Sequence, residues 1–189
     1  MSLVVLSCDE YFTQSMQCLE RINEQHQENI YIVDIDSFSS LHALSQRLLE
    51  ELTTSYQLIF VKGTGILSKV LSPLEGLWRK SSVAKFLDYL REGKRFTFEA
   101  ALTMINSLRE LQNLTHNELS AACALCRDDN VATMSKRLNC TTKALYQRVS
   151  AMAHKMNLNH LNQIQYFISR EYSVEELQKM DYQYQMSAG

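Results

Sequence analysis

Residues 114–156, LTHNELSAACALCRDDNVATMSKRLNCTTKALYQRVSAMAHKM, decide the fold. Thr115-His116-Asn117-Glu118 has the form of a capping box, in which the Thr oxygen takes the third helical amide and the Glu reaches back to the cap amide. Leu119, Ala122, Cys123 and Cys126 give the helix that follows an apolar face. A second helix is expected over about Val131–Leu138, with Met134 and Leu138 inward. Asn139-Cys140-Thr141 then forms a tight turn, and Thr141 can cap a third helix. There Leu145, Val149, Met152 and Met156, spaced four, three and four apart, form one buried stripe. Lys143, Gln147, Ser150 and His154 form the opposite one, with Tyr146 at its edge.

The charge along this stretch is one-sided. From Asn130 to Arg170 there are six Lys or Arg (Lys136, Arg137, Lys143, Arg148, Lys155, Arg170) and no Asp or Glu. A polyanion could lie along such a surface, and phosphate contacts supply most non-specific DNA affinity. A helix apolar on one face and acid-free on the other is what major-groove insertion requires. The segment therefore reads as a DNA-binding helix-turn-helix.

Three groups of residues carry a closer likeness. They are Leu114-Thr115-x-x-Glu118, then Met134-Ser135-Lys136-Arg137-Leu138-x-Cys140-Thr141, then Leu145, Arg148, Met152 and Lys155-Met156. Over Leu114–Met156 the chain resembles the LuxR/FixJ-type helix-turn-helix without a gap. The resemblance places base-edge readers at Tyr146, Gln147 and Ser150, and phosphate contacts at Lys136, Thr142, Arg148 and Lys155, with Lys143 on the same exposed stripe. Where the family reads Thr-Val-Lys-x-His, this chain has Ala144-Leu145-Tyr146-Gln147-Arg148. Tyr146 thus removes one charge-assisted contact.

Working outward, the 189 residues allow one ordinary domain or two small ones, and five Gly with one Pro favour a helix-rich chain. The net charge of −2 hides a division. Residues 1–112 carry eleven Lys/Arg against fourteen Asp/Glu, and residues 113–172 seven against four, as expected of two modules with different partners. No apolar run is long enough to span a bilayer, and the N-terminus lacks the features of a signal peptide. Five scattered cysteines fit reduced thiols in a cytoplasmic protein. Cys123-Ala-Leu-Cys126 lies within an expected helix and reads as small buried hydrophobes rather than a metal or redox pair. No nucleophile elbow or phosphate loop is present, so no enzyme, metal or cofactor is expected.

The front half alternates strand and helix. Leu3–Leu6, Ile30–Ile35, Tyr56–Val61 and a stretch near Leu77-Trp78 read as strands of a small parallel sheet. Helices carry Phe12, Met16, Leu19 and Ile22, then Leu41, Leu44, Leu48 and Leu52 after a possible Ser39-Ser40 cap, then Val83–Arg91 after Ser81-Ser82. Gly93 ends the last of these, and Phe98–Leu111 reads as a connecting helix. The tail after Tyr172 has helical composition to about Met180, then a Tyr/Gln-rich end expected to fray.

Asp9-Glu10 after the first strand resemble the paired acids of a receiver domain, which hold Mg²⁺. Gly76–Ser82 resembles the receiver's fifth strand and its lysine, placed here at Lys80. The middle is one strand-helix unit too short, which leaves two alignments. If Ile30–Ile35 is the receiver's second strand and Tyr56–Val61 its third, the phosphoacceptor position falls on Lys62, whose ammonium could neutralise the acids. If Ile30–Ile35 is the third strand, the acceptor is Asp34, with Asp36 beyond it. The loop length before Ile30 favours the first. Loop acids facing water are the bland alternative for all four carboxylates.

The expected architecture is an α/β pseudo-receiver with a shortened parallel sheet (1–93), a helical linker (94–113), an all-α LuxR-type helix-turn-helix domain (114–172) and a tail (173–189). The resemblance implies a regulator that binds double-stranded DNA as a homodimer, or as a heterodimer with another regulator, away from membranes. Its receiver would serve dimerisation or partner binding without phosphorylation. The competing expectation is a protein-binding adaptor that keeps the fold and has lost DNA.

Overall fold

The apolar run at the start forms strand β1 (Leu3–Leu6), and the Asp9 carboxylate accepts the Phe12 amide at 3.1 Å to open helix α1 (Glu10–Ile22). Phe12, Met16 and Leu19 are the buried face of that helix. Strand β2 (Asn29–Asp34) runs into a 3₁₀ turn, Ile35–Ser37. Helix α2 (Leu41–Glu50) is capped by Ser40, whose hydroxyl accepts the Ala43 amide at 3.0 Å. Strand β3 (Tyr56–Lys62), the short helix α3 (Ile66–Val70), strand β4 (Leu77–Trp78), α4 (Val83–Glu92) and α5 (Phe98–Arg109) follow. This computed structural model describes residues 3–22, 29–51, 56–109, 111, 113–127 and 130–187, with the backbone alone for residues 20–22, 181 and 183–187. Leu52 and the side chain of Ile22, both assigned to helix faces above, lie outside the described residues.

The chain divides into two units, Met1–Ser107 and Leu108–Gly189. In the first, four parallel strands lie in the order β1-β2-β3-β4, with Leu3 beside Ile30, Ile32 beside Ile59 and Val61 beside Leu77. That order decides between the two alignments. A receiver-type sheet runs 2-1-3-4-5. Removing its second strand leaves neighbours in chain order, as observed, whereas the alignment favoured by loop length would place β1 between β2 and β3. The missing piece is the second strand with its helix. Asp34, not Lys62, therefore stands at the end of the receiver's third strand.

Strand alternation sorts the side chains onto two faces. Leu3, Ile30, Ile32, Ile59, Val61 and Leu77 share one apolar cluster with Phe12, Met16 and Leu19 of α1 and with Phe86 and Leu90 of α4. The other face carries Tyr31, whose ring meets Phe98 of α5 edge-on at 5.3 Å and whose hydroxyl donates to Glu51 at the end of α2. Ser45 of α2 bonds Asn106 of α5 at 3.2 Å. So α1 and α2 cover opposite faces, yet each joins neighbouring strands stepping the same way across the sheet. One of the two crossovers must then be left-handed, against a strong general preference. A receiver-type sheet without its second strand-helix unit would have this arrangement, because the first helix keeps its face while its chain leads to the other neighbour.

β4 reaches only the end of β3. At Leu58 the open edge is met by Phe96, with reciprocal amide-to-carbonyl bonds of 2.8 and 3.0 Å. Gly93 caps α4 with φ −68°, so it needs no left-handed backbone. Glycine is required there by close approach, since an added Cβ would lie 2.4 Å from the Tyr89 carbonyl oxygen.

The second unit holds α6 (His116–Arg127), α7 (Val131–Arg137), α8 (Thr142–Lys155), α9 (Leu161–Glu171) and α10 (Val174–Ser187). Leu145, Val149, Met152 and Met156 are all buried, as the spacing predicts, and Asn139 takes the left-handed conformation (φ 45°) in the turn before α8. Leu138 is half-buried rather than inward. The tail departs from expectation. It is helical through Ser187 and packs on α6, with Leu177 1% exposed and its carbonyl accepting the Cys123 thiol at 3.3 Å. No helix among the described residues is long and apolar enough to cross a membrane.

Candidate nucleic-acid interface and acid pocket

Helix α6 is opened by the expected capping box. The Thr115 amide donates to the Glu118 carboxylate at 2.7 Å, and the Glu118 amide to the Thr115 hydroxyl at 3.4 Å. Asn130 caps α7 through the Thr133 amide at 2.8 Å, and Thr141 caps α8 through the Ala144 amide at 3.2 Å. These caps set where each helix begins, and so which α8 residues face out.

At 100° per residue, Lys143, Gln147, Ser150 and His154 fall on one stripe of α8, and all four are exposed. Thr142 and Tyr146 flank that stripe on one side, with Tyr146 53% exposed. Lys136 is exposed on α7. Arg148 and Lys155 lie on the other flank, toward the buried stripe. Arg148 is half-buried. Lys155 has an internal partner, its ammonium donating to the capping-box Glu118 at 2.7 Å. That finding moves Lys155 from the set expected to meet phosphate to the set that holds the module together. Glu118 also supplies the carboxylate that the acid-free run from Asn130 left out of view.

Burial raises the Glu118 pKa. The Lys155 hydrogen bond, the Thr115 amide and hydroxyl, and the Lys155 charge outweigh it and hold the carboxyl below the ordinary glutamate range. A folded-state value below the unfolded one contributes stability that is present above about pH 4.3 and lost as pH falls further. Urea unfolding of the second unit between pH 7 and 3 is expected to show that loss, and Glu118→Gln should flatten it. An unchanged pH dependence in the variant would mean the pair contributes nothing.

In the first unit Asp9 and Asp34 converge, and the cation between them is Arg79. Its guanidinium pairs with Asp9 and lies 3.3 Å from Asp34 Oδ2, with its carbon 5.0 Å above the Phe12 ring. Ser7 donates to the same Asp34 oxygen at 2.8 Å and accepts the Asp9 amide at 3.0 Å. Asp34 is wholly buried, and its Oδ1 has no hydrogen-bond partner among the described residues. Burial raises the Asp34 pKa against the Ser7 bond and the Arg79 charge, while the Phe12 amide above all, with Arg79, holds Asp9 low.

The remaining pocket residues are elsewhere. Lys62 pairs in register with Trp78, on the face opposite Val61 and Leu77, and its ammonium donates to the Ser72 and Leu74 carbonyls at 3.1 and 2.8 Å. It lines an open cavity of about 530 Å³ with Lys69, Ser72 and Trp78. It does not neutralise the acid pair. Lys80 and Glu10 are exposed. Asp36 turns to the Gly63–Gly65 loop, accepting the Gly65 amide at 2.7 Å and the Ser68 amide at 3.1 Å. Arg79 was missed, although one-residue alternation from buried Leu77 through exposed Trp78 puts residue 79, not 80, on the Asp34 face.

The residues do not fit a Mg²⁺ site of the receiver kind. A guanidinium already joins the two carboxylates, and no group of three or more His, Cys, Asp or Glu among the described residues is placed to hold a metal.

No family model and no curated protein matches this sequence. Among solved structures the chain is similar to RcsB in a structure of two RcsB dimers bound to two parallel DNAs, with 13% identity and a TM-score of 0.60 over 90% of this chain and 98% of that one. RcsB from Salmonella enterica serovar Typhimurium, bound to promoter rprA in the presence of the phosphomimetic BeF3⁻, gives 13% and 0.62 over 91% and 100%. A third structure, the two-component response regulator RcsB–DNA complex, gives 13% and 0.60 over 90% and 98%. The chain shares the fold of these RcsB structures, here a short four-stranded parallel sheet with flanking helices followed by a helical unit containing the helix-turn-helix.

Proposed function

We propose that this chain is a DNA-binding transcription regulator that acts as a dimer, with α8 as its recognition helix. The observation that carries the reading is α8 itself, capped at Thr141, buried along Leu145–Val149–Met152–Met156 and open along Lys143, Gln147 and Ser150. The RcsB structures, solved as DNA complexes and dimers, support it. One recognition helix contacts few base pairs, so a homodimer, or a heterodimer with another regulator, supplies the specificity. The receiver-like unit serves that pairing and is not phosphorylated, its acceptor position being buried and ion-paired. Exposed Tyr146, where the family carries a lysine, favours the adaptor as the second reading.

Binding to mixed-sequence duplex against salt tests the first reading. With about four phosphate contacts, affinity should fall roughly a hundredfold from 50 to 200 mM salt. Binding that is absent or independent of salt would favour the adaptor. A small phosphodonor should leave the intact mass unchanged, and an adduct on Asp34 would overturn the inert receiver.

A further inference from the structure

We propose that Arg79 is a built-in replacement for a divalent cation, and that removing its guanidinium turns the Asp9–Asp34 pair into a divalent-cation site. The inference rests on the inert-receiver reading above and goes further, since it names what sets the unit's state.

Four observations converge on it. Both carboxylates are within ion-pair reach of the same guanidinium, although they come from different strand ends. Asp34 is 0% exposed, so its charge needs a counter-charge from within the fold. One of its oxygens, Oδ1, is buried without a hydrogen-bond partner among the described residues, so the protein's own donors leave this carboxylate incompletely satisfied. Arg79 is also anchored where it stands. Its backbone amide donates to the Lys62 carbonyl at 2.7 Å, continuing the β3–β4 pairing, and its guanidinium lies over Phe12 of α1.

A planar guanidinium can bridge two carboxylates through separate N–H groups, as a small dication bridges them through oxygen coordination. The two cannot share the space, because a second cation a few ångströms from the first meets direct repulsion. An internal cation differs in one respect: it cannot be titrated by the cell's Mg²⁺. The first unit is therefore held in one charge state whatever the supply of metal or phosphodonor. Lys80 could not do this, being exposed one residue past the face on which Asp34 lies.

The experiment uses the full chain as wild type, Arg79→Ala, Arg79→Gln and the double variant Arg79→Ala/Asp9→Asn. Manganese binding is read from the free Mn²⁺ resonance with Mg²⁺ as competitor, and thermal unfolding is followed with and without Mg²⁺ at fixed ionic strength. Wild type should leave the Mn²⁺ signal and the transition unmoved. The single variants should bind one Mn²⁺ at least about tenfold more tightly than wild type, release it to Mg²⁺, and gain thermal stability from Mg²⁺. The double variant should lose that binding. If a single variant is unfolded without metal, refolding by Mg²⁺ supports the proposal and failure to refold overturns it. Asp9-dependent Mn²⁺ binding by wild type would overturn it too, as would folded single variants that bind no better. The phosphodonor test is separate. An Asp34 adduct would sink the inert receiver, whereas metal binding alone decides the role of Arg79.

Discussion

Replacing Lys136 and Lys143 with glutamate is expected to lower affinity for duplex DNA about a hundredfold at moderate salt and to reduce the salt slope by roughly two per bound protomer. Both side chains are exposed, one on α7 and one on the outward stripe of α8. Neither supports the fold, so urea unfolding should match wild type. Each reversal removes one phosphate contact and adds a repelling charge, which multiplies the losses. Reversing Lys155 should behave differently. A glutamate there would face Glu118 across the present 2.7 Å ion pair, and the loss should appear first in stability. If Lys136 and Lys143 can both be reversed with no change in DNA binding while the protein stays folded, α8 is not a nucleic-acid surface.

A second large effect is expected in the tail. Leu177→Asp should destabilise the second unit by about 4 kcal/mol or more, because it trades a buried leucine for an unpaired buried carboxylate. Leu177→Ala should cost about 2 to 4 kcal/mol through the cavity alone. A unit of this size has roughly 4 to 12 kcal/mol of stability in all. The aspartate variant should thus be largely unfolded by circular dichroism and should lose DNA binding with it. The contrast with the lysine reversals is the useful part, since those remove binding and leave the helices in place. A Leu177→Asp protein with an unchanged urea midpoint would show that α10 contributes nothing to the module.

The helix-turn-helix was legible because its signals are local. Thr115 and Glu118 are three residues apart, Thr141 sits one residue before its helix, and the stripe from Leu145 to Met156 has a helical period that nothing else produces. What escaped was non-local. Lys155 reads as a free phosphate contact until Glu118, thirty-seven residues earlier, is brought against it by the packing of α8 on α6. The docking of α10 has the same origin. Its early residues announce a helix, but only the apolar face of α6 that it covers explains why it stays folded and where.

In the first unit the strands and their order along the chain were readable, but their order across the sheet was not. Loop length before Ile30 favoured the wrong alignment because it measures distance along the chain, while pairing is decided by which face each helix covers. The pocket failed by a single position. The likeness to a receiver lysine points to Lys80, and Arg79 holds the place because the residue just after β4 keeps that strand's alternation, its amide still bonded to the Lys62 carbonyl. Period-two structure penalises an offset of one with a change of face, so a correct motif can still name the wrong residue.

The order β1-β2-β3-β4 has a consequence for how this unit comes into being. In a sheet that runs 2-1-3-4-5, the chain leaving the second strand must pass the first to place the third on its far side. Here every strand docks beside the one made just before it. The closures are short, and the sheet can grow from one edge in the direction of synthesis, without waiting for a later strand to complete its middle. A sheet one unit shorter than the 2-1-3-4-5 plan, with one crossover of unfavoured hand, is thus a sheet that can assemble as the chain emerges.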